Sequence, residues 1–206
     1  NIKIAGCFSP LPGSYFKDKS ISKQEMIETY FSIGEIQKDA VDFFIIETMS
    51  SIDEAVSAVE ALSNFNKEII LCFCLSEGDG TKLFSGENLK EACDSIQIDK
   101  INGLCLNCSQ IEDISKGLDI LKKYNLPYGA LPNNFQSVKP LKLGMSVDNI
   151  KKRNDILIED FVNYAITWLN NGCTILGGCC EITPDYINGL NNHFMNNRYK
   201  KINLFN

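Results

Sequence analysis

The chain has 206 residues, 44% hydrophobic and 22% charged, and a net charge of −6. This is the profile of an ordinary globular domain with enough residues for one sizeable core. It excludes a sequence-independent nucleic-acid binder, which needs a basic face. No apolar run approaches the roughly 20 residues of a membrane span, and no secretory signal pattern opens the chain.

Asn1 to Gly6 reads as a short strand, followed by a loop from Cys7 to Tyr15. Ser22 with Glu25 three residues on predicts a capping box and a helix through about Lys38, with Met26, Ile27, Tyr30, Phe31 and Gly34 inward. Val41 to Ile46 is a nearly continuous apolar strand, as expected when both faces are buried in a parallel sheet. It ends at Glu47-Thr48. Ser51 and Glu54 predict a second capping box, with Val56, Val59 and Leu62 as the helix stripe. Ile69 to Cys74 is a third strand, and a helix from about Glu87 to Ile96 follows the turn at Gly78-Asp79-Gly80.

Lys100 to Leu106 is a fourth strand ending at Asn107-Cys108. Ser109 with Glu112 predicts a third capping box, and Ile111, Ile114, Leu118 and Leu121 keep helical spacing. Pro127 to Leu131 is a fifth strand ending at Pro132-Asn133. The polar stretch from Phe135 to Asp155 is a long loop, a kind that is usually functional or mobile. A helix from about Ile158 to Asn171 buries Phe161, Ala165, Trp168 and Leu169. The sixth strand, Cys173 to Leu176, leads into Gly177-Gly178-Cys179-Cys180, and Thr183-Pro184 starts a last helix. Six strand-then-helix units predict a parallel α/β sheet, which a (β/α)₈ barrel and an open doubly wound sheet both satisfy.

Functional groups in such folds gather at the C-terminal ends of the strands. Here those ends carry Glu47, Cys108, Asn133 and the pair Cys179-Cys180. The chain holds nine cysteines, several inside apolar runs, where a thiol acts as a small hydrophobe; a reducing cytoplasm suits them. Cys7, Cys93, Cys105 and Cys173 read as structural. Cys72 and Cys74 share a strand face and read as core. Three thiolates from two distant strand ends are a donor set that suits a catalytic Zn²⁺ with one open position. The other reading is that Cys108 and the pair are unrelated core or turn thiols. Asn133 either shapes a pocket or only caps the turn after Pro132, Glu47 could instead pair with a lysine, and Lys151-Lys152-Arg153 reads as a solvated loop.

Asn107-Cys108 after an apolar strand, and Gly-Gly-Cys-Cys followed by Thr-Pro, resemble the homocysteine S-methyltransferase family. Gly6 to Pro10, Asp42 to Thr48, Leu71 to Ala92 and Pro132-Asn133 extend the resemblance along the chain. It implies a TIM-type (β/α)₈ barrel in which residues 1–206 supply six βα units and the first two are missing. It implies zinc on Cys108, Cys179 and Cys180, and a homocysteine-binding role for Glu47, with Asn133 placed at the same rim. The implied reaction moves a methyl group from a small-molecule donor to the homocysteine thiol, forming methionine, in a cytoplasmic protein that can self-associate as a homo-oligomer. The alternative function is a catalytically silent zinc-binding or partner-binding remnant of the same fold. One departure is the bulkier Cys7-Phe8-Ser9-Pro10 loop, which would reshape the pocket.

Overall fold

A computed structural model describes residues 2–11, 13–15, 20–142 and 144–199. The expected strand start at Asn1, Pro12 of the first loop and the chain's last residues lie outside them. Six strands alternate with six helices: β1 (Ala5–Phe8), α1 (Lys23–Gln37), β2 (Phe43–Met49), α2 (Ile52–Leu62), β3 (Ile69–Phe73), α3 (Leu89–Ser95), β4 (Gly103–Asn107), α4 (Ile111–Leu121), β5 (Tyr128–Leu131), α5 (Ile158–Asn170), β6 (Ile175–Leu176) and α6 (Pro184–Asn196). No helix among the described residues is long and apolar enough to cross a membrane.

All neighbouring strands are parallel, and their order in the sheet is β1-β2-β3-β4-β5-β6. That order decides between the two architectures the sequence allowed. A doubly wound sheet reverses its strand order at a switch point, which sends helices to both faces. Here every right-handed crossover adds the next strand to the same edge, so the helices stay on one side. The result is six consecutive staves of a barrel wall, with β1 and β6 as its edges.

Strand alternation sorts side chains between the two sides of the wall. Phe44, Ile46, Leu71, Phe73, Leu104 and Leu106 face the helices and pack with Leu62, Ile114, Leu118 and Phe161 in the main core. The opposite side carries Ile70, Cys72 and Cys105, flanked by partly buried Phe43, Ile45, Leu131 and Ile175. Both central strands, β3 and β4, are buried along their whole length, which explains their unbroken apolar sequences.

Helix starts show where local sequence signals prevail and where tertiary partners override them. The Ser22–Glu25 capping box forms in full: Ser22 Oγ accepts from Glu25 N at 3.2 Å, and the Glu25 carboxylate accepts from Ser22 N at 2.8 Å. The other two predicted boxes do not form. Ser51 sits at the N-cap without a side-chain bond, because Glu54 is buried and accepts instead from Leu11 N and from Tyr30 Oη at 2.9 Å. Ser109 lies one residue before the true N-cap, Gln110; its hydroxyl accepts from Leu75 N at 2.8 Å and donates to Asn107 O at 2.9 Å, while Glu112 pairs with Arg153. Phe31, expected inside, is exposed and stacks on Phe65. The first strand runs later than expected, Ala5–Phe8 rather than Asn1 to Gly6, because buried Phe8 pairs with Ile46.

The long segment from Phe135 to Asp155 is folded back on itself. Phe135 and Lys152 form an antiparallel bridge, and Arg153 N donates to Asn134 O at 2.8 Å. Arg153 is not a solvated loop residue: its guanidinium binds both carboxylate oxygens of Glu112 at 2.7 and 2.8 Å and also Asp155. Glu77 holds the segment's start through Ser137 Oγ at 2.8 Å and through Val138 N. The loop is thereby pinned over the ends of β3, β4 and β5.

Candidate functional site

Asn107 and Cys108 mark the end of β4. Cys108 adopts φ 48°, a left-handed conformation that turns the chain sharply off the strand. Its N–H donates to Leu131 O at 3.0 Å, and its carbonyl accepts from Asn133 Nδ2 at 2.8 Å. Cys179 and Cys180 follow β6, fixed by Cys179 N to Pro132 O at 2.8 Å and Asn134 N to Cys180 O at 3.0 Å. The segment Pro132–Asn134 therefore bonds to both cysteine turns and holds them against each other.

The three sulfurs meet. Cys108 Sγ lies 3.6 Å from Cys180 Sγ, Cys179 Sγ lies 3.9 Å from Cys180 Sγ, and all three fall within 4.8 Å of one another. Cys108 is buried and the pair is half-buried, so the cluster is partly open. Above it lie Tyr15, Cys74, Phe135 and Val138, with Phe84, Leu141 and Ile150 at the margin.

Three thiols this close cannot all ionise without a cation, because each new negative charge meets the last one at short range. Hydrogen bonds from Cys108 and Cys179 push the Cys180 thiol down. Cys179 is pushed up by its hydrogen bonds to Cys108 and Cys180. The cluster on its own thus favours one shared negative charge. A soft divalent cation would remove the penalty on the other two, and an all-thiolate donor set within this spacing is one that Zn²⁺ accepts.

The two glycines before the pair serve space rather than unusual torsions, since neither has a positive φ. A Cβ on Gly178 would lie 2.2 Å from Ile182 Cγ2 and 2.5 Å from Ile182 Cβ. At Gly177 the nearest atom would be Leu131 Cδ2 at 3.2 Å. Gly178 lets Ile182 fold under the turn that presents Cys179 and Cys180.

Glu47 lies on β2, two strands from Cys108. Burial is the main cause that raises its carboxyl above the usual range; the Cys7 thiol, which bonds to it, pulls the other way, and the charge of Cys180 adds to the rise. Among the described residues no lysine or arginine pairs with Glu47, so the rim salt bridge is not formed. Cys7, read as structural, is exposed and meets this carboxylate. Asn133 is buried with its amide engaged by backbone: Nδ2 on Cys108 O, and Oδ1 accepting from Phe135 N at 3.2 Å. It braces the Cys108 turn. Cys72, Cys93, Cys105 and Cys173 are buried away from the three-sulfur cluster, whereas Cys74 lies beside it, 3.6 Å from Cys108 O.

Two neighbours of the site have no role of their own in the sequence reading. Asn107 links the ends of β2 and β4: Oδ1 accepts from Thr48 N at 2.9 Å, and Nδ2 donates to Thr48 Oγ1 at 3.1 Å. Thr48 stands at φ 61°, so this pair of bonds secures a strained residue directly after Glu47. A polar residue closing an otherwise apolar strand was the available signal. Tyr15, in the β1–α1 loop, places its hydroxyl 2.7 Å from Cys108 Sγ, and no local pattern announces that contact.

The sequence model of the homocysteine S-methyltransferase family matches residues 1–194. The chain belongs to this family. Within the homocysteine S-methyltransferase family, it is 30% identical over 157 residues to a selenocysteine methyltransferase of Astragalus bisulcatus, covering 73% of this chain and 44% of the relative. It is 28% identical over 172 residues to homocysteine S-methyltransferase 2 of Arabidopsis thaliana, covering 79% and 48%. The chain thus spans about half the length of the curated relatives it matches. The fold is that of the homocysteine methyltransferase MmuM of Escherichia coli, with a TM-score of 0.69 at 20% identity to its apo form, over 93% of this chain and 62% of that one. The metallated form of MmuM matches equally, with a TM-score of 0.69 at 21% identity.

Proposed function

We propose that this homocysteine S-methyltransferase family chain carries the zinc and acceptor half of a thiol methyltransferase, which converts homocysteine to methionine. The observation that carries the reading is the convergence of Cys108, Cys179 and Cys180 from two strand ends, on the rim that also holds Glu47. The three cysteines would hold Zn²⁺, which when bound lowers the pKa of a thiol so that it is a nucleophile at neutral pH.

The protein's own groups do the remaining work. Glu47, half-buried and without a cationic partner among the described residues, is a site for the ammonium group of an amino-acid substrate; that charge would relieve the burial penalty on its carboxylate. Asn107 fixes the backbone after Glu47, and Asn133 fixes the backbone of Cys108, so acceptor-binding groups on two strands keep a set separation. Phe84, Phe135, Val138 and Leu141 pack beside the sulfurs and make that side of the site apolar. In the reaction the substrate sulfur attacks the methyl carbon in line. The S–CH₃ bond forms as the bond to the donor's leaving atom breaks and its electron pair departs with the donor. Holding the two partners in line can contribute up to roughly 7–11 kcal/mol in ideal cases. S-methylmethionine, betaine, S-adenosylmethionine and a methyl-cobalamin or folate system are all donors of suitable chemistry. The free thiols fit a cytoplasmic setting.

The second reading is a zinc-binding or partner-binding remnant of the same fold, without turnover. The test measures bound zinc, then methionine formation from homocysteine with each donor. The expected result is about one zinc per chain, lost in Cys108→Ala, and methionine with at least one donor. Zinc content unchanged in Cys108→Ala would refute the three-sulfur site; bound zinc with no methionine from any donor would select the second reading.

A further inference from the structure

Tyr15 belongs to no strand or helix, yet its side chain is buried at 6% exposure. Its ring meets Phe84 edge-on, with centroids 5.4 Å apart, within the apolar cluster of Cys74, Phe135 and Val138. Its backbone stands at φ 69°, a conformation that non-glycine residues rarely adopt. A buried phenol hydroxyl requires a hydrogen-bond partner. Here that partner is Cys108 Sγ, 2.7 Å away, the most buried of the three clustered sulfurs.

We propose that Tyr15 is a positioning residue for the sulfur site, its hydroxyl donating to the Cys108 thiolate and so fixing that sulfur's direction and donor strength. The inference rests on the reading of Cys108, Cys179 and Cys180 as metal ligands. A phenol is protonated at neutral pH and can donate, and a thiolate bound to a cation keeps lone pairs that accept. Hydrogen bonds to ionised acceptors are the stronger class, so the contact gains when Cys108 loses its proton. Groups that hydrogen-bond to metal ligands orient them and tune the electrons they offer. The contact also joins the β1–α1 loop to the end of β4, so the loop that precedes α1 is in register with the ligand sulfur.

The test compares the full chain with its Tyr15→Phe variant, which keeps the ring against Phe84. Zinc affinity is read by competition with a chromophoric chelator, and sulfur electronics by the thiolate-to-metal charge-transfer band of the cobalt(II)-loaded protein. The expected result is roughly tenfold weaker zinc binding and a charge-transfer band moved to lower energy, since a sulfur relieved of its donor gives up electrons more easily. Wild-type affinity with an unmoved band overturns the proposal. If Tyr15→Phe does not fold, 3-fluorotyrosine placed at position 15, a stronger donor of nearly the same shape, must move the band to higher energy; an unmoved band overturns the proposal there too. A wild-type chain that binds neither metal fails the three-sulfur reading itself, a result distinct from either of these.

Discussion

Asn107→Ala is the sharpest test of how the rim is held together. Asn107 is 1% exposed, and Thr48, its partner in both side-chain bonds, is 6% exposed. Removing the amide leaves the Thr48 N–H buried without a partner, a loss of about 1–3 kcal/mol. The left-handed torsion of Thr48 adds about 1–2 kcal/mol of strain that the two bonds now offset. That strain is present in the wild type as well, and part of it would relax in the variant, so the expected loss is roughly 1–2 kcal/mol. Urea unfolding followed by far-UV circular dichroism measures it. Adding Thr48→Gly should recover about 1 kcal/mol, because glycine adopts a positive φ without the steric penalty. The variant should also bind an amino-acid thiol more weakly, since Glu47 immediately precedes Thr48. An Asn107→Ala protein within about 0.5 kcal/mol of wild type, or no recovery from Thr48→Gly, would refute the argument that this pair secures the rim.

The remaining predictions concern the cysteine turn and the pinned loop. Gly178→Ala should lower both stability and zinc retention, because its Cβ would collide with Ile182, while Gly177→Ala should be milder; equal zinc content in the two, measured by metal analysis after dialysis, would contradict this. Hydrogen bonds from Arg153 hold the Glu112 carboxyl below its usual range. A group lowered in the folded state contributes its stability above its unfolded pKa and loses it as pH falls through the folded value. Arg153→Gln should therefore flatten the loss of stability on the acid side, costing less than about 1 kcal/mol at neutral pH because Glu112 is partly solvent-screened. Urea midpoints across pH 3 to 7, roughly the range in which carboxylates titrate, would show it, and parallel profiles for the two proteins would count against the clamp.

Much of the architecture could be read before any tertiary contact was known. The apolar runs at Ile69 to Cys74 and Lys100 to Leu106 are strands buried on both faces, and such burial writes itself into consecutive residues. Ser22 and Glu25 formed their box because both are exposed on one local turn with no competing partner. The same pattern failed at Ser51–Glu54 and Ser109–Glu112. There each side chain sits near the packed interior, where Leu11, Tyr30, Leu75 and Arg153 offer partners that are distant in sequence. The family resemblance likewise rested on short segments at strand ends, where chemistry constrains residue type more tightly than packing does.

The amino-acid sequence by itself determined a parallel α/β chain of six units and singled out Cys108, Cys179, Cys180 and Glu47, because periodicity and strand-end composition are local properties. Only the tertiary structure decided that the strands follow one another in order around a barrel wall, since a buried strand's sequence records that its faces are covered and not which strand lies beside it. It alone brought the three sulfurs within 4.8 Å, with Asn133 bracing one of their turns. It alone set Asn107 under Thr48 and Tyr15 against Cys108. These contacts join residues 59 and 93 positions apart, and no local pattern encodes a hydrogen bond whose partner is chosen by the path of the whole chain.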